Sequence, residues 1–343
     1  MNVSIILPVR NESVYIEKSL RALLAQNYPV KQMEILIADG MSTDDTHRII
    51  GDFSLKYPQL KIKILDNPGV IVSTGMNIAL RQAKGDIIIR VDGHCIVALD
   101  YVHKCVEHIQ KDGVDGVGGP MESIGETLMA KVIAAGMSSL FGVGSSVFRT
   151  MSGKNMLVDT VPFPAYTREI IERVGFYDEE MVRNQDDEYN YHIRELGGKI
   201  LFADDVRSTY FSRVSLKGLW RQYYQYGYYK VRVLQKHPRQ MSLRQFVPPA
   251  FVLAMLVSIL LAFFSDYRPV SLVIPVFYLL ANSFASLYTA SKHSWRYLPL
   301  LPLVFATLHI SYGLGFLAGL FKFWNRWGDK IGKTPVWSKE TNG

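Results

Sequence analysis

The chain has 343 residues, of which 48% are hydrophobic and 20% charged, and its net charge is +7. This composition excludes a disordered chain, a collagen-like chain and a disulfide scaffold, and it is slightly too apolar for an ordinary soluble enzyme. The two cysteines, Cys95 and Cys105, match no zinc spacing and predict reduced thiols in a cytosolic compartment. No zinc-finger spacing or RNA-binding signature is present, so we expect no nucleic-acid partner, and the apolar C-terminal third favours anionic lipid instead.

The first part of the chain alternates short apolar runs with helix-like patterns. Strands are predicted at 3–8, 34–38, 61–65 and 86–91, and helices at 13–26, 44–57 and 73–83. This βαβα order with buried strands predicts an α/β domain on a mainly parallel sheet. Ligands of such sheets bind at the carboxyl ends of the strands.

Acidic segments follow three of the four predicted strands, and two of these segments contain glycine. The first strand ends in Arg10-Asn11-Glu12, the second is followed by residues 39–46, and the fourth by Asp92-Gly93-His94. The sequence contains no G-x-G-x-x-G and no P-loop, which disfavours a Rossmann dinucleotide enzyme and a P-loop kinase. An acidic rim without a phosphate-cradling loop predicts that a divalent metal holds the phosphates of a substrate.

The sequence resembles family 2 glycosyltransferases through four segments that occur in the family's order, VSIILPVRNE, IADGMSTDDT, RVDGH and RNQDDE. Within that family it is most similar to the membrane-anchored succinoglycan-biosynthesis (ExoA-type) glucosyltransferases. The resemblance implies a GT-A fold, which is a Rossmann-like nucleotide-diphospho-sugar transferase fold, with a nucleoside diphosphate sugar donor and a divalent metal. By the same resemblance, the nucleotide pocket is lined by Pro8, Arg10, Glu12, Asp39 and Asp92.

The family's D-x-D motif falls on Asp92 and His94, so the resemblance implies that these two residues hold the metal. A histidine replaces the second aspartate here, and a neutral imidazole suits Mn²⁺ better than Mg²⁺. We therefore expect Mn²⁺ or Mg²⁺ as the cofactor. Alternatively, Asp39 acts as a helix cap and His94 as a turn residue.

The segment Gln185-Asp186-Asp187-Glu188 matches the family's E-D motif, with glutamine in place of glutamate. The match implies that Asp186 is the catalytic base, with Asp187 as the second candidate. Glycosyl transfer needs one carboxylate within hydrogen-bond reach of the acceptor hydroxyl. Alternatively, these acids form the first turn of a helix over 187–196 and interact with its dipole.

Three apolar windows, 246–264, 270–290 and 297–321, are each long enough to cross a bilayer. The sequence predicts a GT-A domain over 1–215, an interfacial aromatic segment over 216–245, a membrane region over 246–321 and a basic tail over 322–343. Lysine and arginine before the first window place the N-terminal domain on the cytoplasmic side of an inner or plasma membrane. Three full crossings would export the basic tail, so either the tail lies outside or the third window does not cross fully.

The segment 216–245 interleaves Tyr and Trp with Lys and Arg, which is typical of an interfacial helix, whereas the alternative is a soluble aromatic helix. Arg221 and Lys230 are candidates to hold the diphosphate of a lipid acceptor. The Q-x-x-R-W segment of processive relatives reads Gln222-Tyr-Tyr-Gln-Tyr226 here, which argues against a polymerase.

We therefore expect an inverting, metal-dependent glycosyltransferase of polysaccharide or related glycan assembly. It would move one sugar from a UDP-sugar, with UDP-glucose favoured, to a polyprenyl-diphosphate-linked saccharide at the cytoplasmic face. The alternatives are a polyprenyl-phosphate sugar synthase and a non-catalytic membrane scaffold with a degenerate transferase fold.

Overall fold

The computed structural model describes residues 1–144 and 153–337, and the chain divides into two compact units. The first unit comprises residues 1–122, 151–210 and 331–343, and the second comprises residues 123–150 and 211–330. Residues 123–144 thus belong with the apolar C-terminal helices, and the described part of the tail, 331–337, belongs with the N-terminal α/β unit. Residues 338–343 of the predicted basic tail lie outside the described residues.

Eleven strands occur in the described part of the chain. They are β1 (Val3–Val9), β2 (Met33–Asp39), β3 (Lys61–Asp66), β4 (Ile87–Arg90), β5 (Cys95–Val97), β6 (Gly116–Gly118), β7 (Met121–Ile124), β8 (Met156–Leu157), β9 (Ala165–Thr167), β10 (Ile200–Phe202) and β11 (Ser208–Phe211). The main sheet has the order β3-β2-β1-β4-β9-β6-β10-β8, and a smaller sheet has the order β5-β11-β7.

The first four strands run parallel as β3-β2-β1-β4, because each is followed by a helix or a loop that returns the chain across the sheet. β1 is buried along its whole length, as a central strand covered on both faces must be. β9 runs antiparallel between β4 and β6. The predicted parallel α/β sheet is confirmed, and each of its four predicted strands lies within two residues of the observed bounds.

The helices of the first unit surround this sheet. They are α1 (Ile16–Leu24), α2 (Thr46–Lys56), α3 (Val72–Gln82), α4 (Tyr101–Asp112), α7 (Arg168–Val174) and α8 (Gln185–Glu195). Between α4 and α7 the chain forms α5 (Leu128–Met137) and α6 (Leu140–Val143), which belong to the second unit. Apolar residues such as Ile16, Leu20 and Leu23 recur on one face of α1 and are fully buried.

The second unit continues with five helices. They are α9 (Leu216–Lys236), α10 (Val247–Leu261), α11 (Arg268–Ser271), α12 (Val273–Lys292) and α13 (Leu301–Lys322). Three helical segments here, 243–261, 268–292 and 301–322, are long and apolar enough to cross a membrane, in agreement with the three predicted windows.

Within this unit α9 packs along α13 at glycines. A Cβ added at Gly319 would lie 2.5 Å from the carbonyl oxygen of Tyr228, and one added at Gly227 or Gly315 would collide with the carbonyl oxygens of Tyr312 or Tyr224. α5 and α6 also pack on α13. The bare glycines therefore set the close approach of these helices.

Candidate active site

The loops that follow β1 and β2 are hydrogen-bonded to each other. The backbone N–H of Asn11 donates to Oγ of Ser42 at 3.0 Å, and Oδ1 of Asn11 accepts from the backbone N–H of Thr43 at 2.8 Å. The backbone N–H of Glu12 donates to Oγ1 of Thr46 at 2.7 Å. Because β1 and β2 are adjacent and parallel, the acidic segments after them meet at one edge of the sheet, as the sequence predicts.

Asp39 is buried at the end of β2 and organises the turn that follows. Its Oδ1 accepts from the backbone N–H of Ser42 at 3.0 Å and from the Ser42 hydroxyl at 2.6 Å, and its Oδ2 lies 3.0 Å from Nδ1 of His47. The side chain makes no cap bond to α2, whose capping residue is Asp45. Of the other residues predicted for the nucleotide pocket, Pro8 is buried in β1 and Arg10 is exposed just beyond it.

Glu12 and His94 form a carboxylate–imidazole pair across the edge of the sheet. Nδ1 of His94 lies 2.8 Å from Oε1 of Glu12, and the imidazole meets the ring of Tyr210 edge-on at 5.0 Å. A carboxylate can only accept, so Nδ1 carries the proton and Nε2 of the neutral ring has a lone pair for a ligand. Gly93 makes room for this pair, since a Cβ there would lie 3.0 Å from Cγ of Glu12.

Arg90, the last residue of β4, joins Asp92 to Asp186. Its Nε and Nη2 lie 3.0 and 2.9 Å from Oδ1 of Asp92, and its Nη1 pairs with Oδ1 of Asp186. The guanidinium is buried and burial opposes its charge, but Asp92, together with Tyr177 and Tyr166, outweighs burial, so the pKa of Arg90 is raised. Arg90 is not among the predicted site residues, although it stands two residues before Asp92 in the RVDGH segment.

Asp186 and Asp187 both lie in the first turn of α8. They contact different partners, because Oδ1 of Asp187 accepts from the hydroxyl of Thr160 at 3.1 Å. Oγ1 of Thr160 also accepts from Nδ2 of Asn190 at 2.9 Å. Asp186 therefore points towards Arg90 at the end of β4, whereas Asp187 is bound to the segment before β9.

Left-handed backbone conformations collect in the loops at this edge. Asn11, Met41 and Val70, in the loops after β1, β2 and β3, have φ values of 54°, 56° and 69°, and Asn184, just before α8, has 61°. The valine is the most strained of these, because β-branched residues rarely adopt positive φ. Such strain concentrates at functional sites, where surrounding structure holds it in place.

Arg221 and Lys230 both lie on α9 in the second unit. Nine residues separate them, which corresponds to about half a turn of helix rotation at 100° per residue, so they lie on opposite faces. Arg221 is exposed and Lys230 is buried. The structure therefore does not bring these two side chains together.

The residues at the sheet edge fit a divalent metal that is completed by substrate oxygens. No group of three or more His, Cys, Asp or Glu suited to a metal occurs within residues 1–144 and 153–337. The chain does provide Asp92 and His94, and Glu12 holds His94 as carboxylates commonly hold metal-ligating imidazoles. One or two protein ligands plus phosphate oxygens is a usual arrangement for Mg²⁺ bound to nucleotides.

Residues 4–175 match the model of glycosyl transferase family 2. The chain belongs to this family. A curated family relative, the succinoglycan biosynthesis protein ExoA of Rhizobium meliloti, is 31% identical over 255 residues, which cover 72% of this chain and 74% of the relative. The dolichyl N-acetyl-alpha-D-glucosaminyl phosphate 3-beta-D-2,3-diacetamido-2,3-dideoxy-beta-D-glucuronosyltransferase of Methanococcus voltae is 30% identical over 326 residues, 93% of this chain and 97% of the relative.

Solved structures agree on the GT-A fold. The mannosyltransferase PcManGT from Pyrobaculum calidifontis, in complex with GDP-Man and Mn²⁺, has a TM-score of 0.58 and 17% identity, covering 92% of this chain and 87% of that one. The chain is thus a family 2 glycosyltransferase of glycan biosynthesis with a GT-A fold, and the predicted enzyme class and fold are confirmed.

Proposed function

We propose that this glycosyltransferase transfers one sugar, with inversion, from a UDP-sugar to a lipid-linked saccharide. The observation that carries the proposal is the joint attachment of Asp92 and Asp186 to Arg90, at the carboxyl ends of parallel strands. The donor-side carboxylate and the candidate base are thereby held next to each other in a family 2 enzyme.

In the proposed reaction Asp186 accepts the proton of the acceptor hydroxyl. The hydroxyl oxygen then forms a bond to the anomeric carbon, and the bond from that carbon to the diphosphate breaks, with its electron pair leaving on UDP. Attack from the face opposite the diphosphate converts an α-linked donor into a β-linked product. A positioned base of this kind contributes about 10²–10⁴ in rate.

Asp92 and His94 are the residues that would hold a divalent metal, and Glu12 would orient His94. The metal, when bound, offsets negative charge on the departing diphosphate. The relative solved with Mn²⁺ supports metal use, and the histidine at position 94 favours Mn²⁺ over Mg²⁺ here. Pro8, Arg10 and Asp39 would contribute to the nucleotide pocket around the strained loops.

A lipid-linked acceptor is supported by the Methanococcus voltae relative, whose name describes a dolichyl phosphate saccharide as acceptor. The ExoA relative, a succinoglycan biosynthesis protein, supports a role in polysaccharide assembly. UDP-glucose stays the favoured donor of this proposal. Arg221 stays the candidate for the acceptor's diphosphate, because it is exposed. Lys230, which is buried on the other face of α9, would act there only through packing.

Replacing Asp186 with asparagine tests this function. We expect sugar transfer from a UDP-sugar panel to lipid extract, measured as UDP release in detergent with Mn²⁺ or Mg²⁺, to fall at least about 100-fold, with the Kd for UDP unchanged. Asp187→Asn is the matched control and should lose far less activity. Full activity of Asp186→Asn with a polyprenyl phosphate acceptor would instead identify a polyprenyl-phosphate sugar synthase, whose acceptor is already ionised. If the wild type releases UDP from no donor and binds no nucleotide, the result would instead indicate a non-catalytic membrane scaffold.

We also propose that α10 and α12 form a hairpin across the membrane, that α13 does not cross it, and that the catalytic unit is cytoplasmic. Residues 331–337 belong to the same compact unit as residues 1–122. The chain therefore leaves this unit after residue 210 and returns to it at residue 331. A chain that returns to one polar unit crosses the bilayer an even number of times, which three full crossings would not allow.

Burial within the second unit supports α13 as the helix that stays on one side. In α13 44% of the apolar window is buried in protein, against 17% in the first and 22% in the second candidate span. Every residue of α13 is described, and its large hydrophobic side chains are exposed only at Leu303 and Phe321. Lys292, the last residue of α12, and Arg296, in the connection to α13, also favour a cytoplasmic position for that connection.

Cysteine labelling tests this topology. Cys95 and Cys105 are fully buried, so a single introduced cysteine can be labelled without replacing them. In intact spheroplasts, an impermeant maleimide should label Asp266→Cys, in the connection from α10 to α12, but label Ser291→Cys and Asn325→Cys only after permeabilisation. Labelling of Asn325→Cys from outside would show that α13 crosses.

A further inference from the structure

We infer that Arg90 is a positioning residue for glycosyl transfer, which fixes the candidate base Asp186 relative to the donor-side Asp92. The inference rests on the proposed function and assigns a role to a side chain that lies between the two carboxylates. Arg90 does not need to touch either substrate for this role.

The backbone of Arg90 is held on both sides. In the parallel ladder Arg90 pairs with Ile6 of β1, and its N–H donates to the carbonyl of Pro164 at 3.0 Å. A side chain that projects from a strand held in this way has a fixed origin. The position of the guanidinium is therefore fixed by the sheet and not by a loop.

The guanidinium divides its donors between two carboxylates. Nε and Nη2 both contact Oδ1 of Asp92, and Nη1 contacts Asp186. Because Arg90 engages only one oxygen of Asp92, Oδ2 is the oxygen that would serve the donor. The side chain of Arg90 is 5% exposed, so water does not compete for these donors.

Buried tyrosine side chains hold α8 in place. The fully buried rings of Tyr177 and Tyr189 are stacked at 4.0 Å, and the hydroxyl of Tyr166 donates to Oδ1 of Asn190 on α8 at 2.6 Å. α8 also carries Asp186 in its first turn. The same helix is therefore fixed both by this aromatic packing and by the ion pair from Arg90.

A planar fork with donors on two sides can hold two carboxylates at once, whereas the ammonium of lysine acts as a point charge. Lysine at this position should therefore keep the charge but hold only one carboxylate well. Glutamine should lose the charge and most of the positioning. The two substitutions separate electrostatic compensation from geometry.

The test measures kcat, donor KM and the Kd for UDP in full-length Arg90→Gln and Arg90→Lys, after wild-type transfer has been established. We expect Arg90→Gln to lower kcat by about 50-fold or more with a change in Kd for UDP below about 5-fold, and Arg90→Lys to restore part of kcat. Arg168→Gln is the matched control, because Arg168 bonds only to the backbone carbonyls of Ala83 and Gly85 in the contacts described. It should lower thermal stability without this split between kcat and Kd.

The double variant Arg90→Gln/Asp186→Asn decides whether Arg90 acts through the base. If it does, the double variant is no slower than Asp186→Asn alone, whereas multiplied losses would overturn the inference. An equal loss of kcat in Arg168→Gln would also overturn it, as would kcat within about 3-fold of wild type in Arg90→Gln. If Arg90→Gln does not fold, Arg90→Lys and its double variant carry the same comparison. An inactive Asp186→Asn beside a fully active Arg90→Gln would refute this inference alone, whereas a fully active Asp186→Asn would refute the proposed base.

Discussion

Gly319→Ala should loosen the pairing of α9 with α13. The added Cβ would lie 2.5 Å from the carbonyl oxygen of Tyr228 and 3.0 Å from Cγ2 of Val231. Ordinary contact begins at 3.4 Å, so the helices must separate by about 0.9 Å, and a gap of that size forfeits roughly a quarter to a half of the dispersion energy across it.

We estimate the cost of this overpacking at about 2–3 kcal/mol, because backbone rather than a flexible side chain must move. Alanine regains about 1 kcal/mol of helix propensity over glycine. The net loss of about 1–2 kcal/mol corresponds to a fall of roughly 2–8 °C in the Tm of the second unit, measured by intrinsic fluorescence in detergent.

The matched control for Gly319→Ala is Gly51→Ala, in the interior of α2. A Cβ added at Gly51 meets nothing within 4 Å. This substitution should raise the stability of the first unit by about 0.4–1 kcal/mol and leave the Tm of the second unit unchanged. If Gly319→Ala melts at or above the wild-type temperature, the close approach of α9 and α13 is not what stabilises this unit.

Two further predictions concern the first unit. His108 lies 2.7 Å from a carboxylate oxygen of Asp112 and 2.8 Å from one of Asp205, and, although burial lowers it, these carboxylates leave the pKa of His108 raised. The stabilisation is present below the ordinary pKa of histidine and is lost as pH rises through the raised pKa. The Tm should therefore fall between about pH 6 and 8.5, and the difference in Tm between wild type and His108→Gln should shrink over that range. An unchanged difference would contradict the ion pairs. The ring of Trp337 packs on Phe176 at 4.5 Å, so Trp337→Ala should cost about 1–2 kcal/mol of unfolding free energy and speed proteolysis of the tail. Val336→Ala, at an exposed position, should be neutral in both assays, and equal behaviour of the two variants would count against docking of the tail.

The parallel half of the sheet could be predicted because its strands are continuous apolar runs, such as Ile87–Arg90, separated by helix-like patterns. The edge that collects Glu12, Asp39 and Asp92 could be predicted for the same reason, since the carboxyl ends of adjacent parallel strands coincide. The three apolar windows were predictable from their length and apolar composition. The roles of the individual site residues stay predictions.

Other features depend on contacts between distant parts of the chain, which local patterns do not encode. Arg90 and Asp186 are far apart in sequence, and only the packing of α8 beside the end of β4 makes them neighbours. Strands of two to four residues, such as β8 and β9, carry too few side chains for a period of two to be visible. The apolar helix α5 resembles any core helix in composition, so its place beside α13 could not be predicted.

Residues 123–144 interrupt the sequence of the first unit but belong to the second unit, and this affects folding during synthesis. Seven of the ten residues of α5 are buried, and α5 shares its apolar cluster with α13, which begins at Leu301. At about 5–20 residues per second the ribosome reaches α13 roughly 10–30 s after α5 has been synthesised. Over that interval the apolar residues of α5 have no α13 to pack against, so holdase chaperones or the membrane surface must cover them. A version truncated before α10, to obtain a soluble enzyme, would carry the same exposed helix permanently and should aggregate.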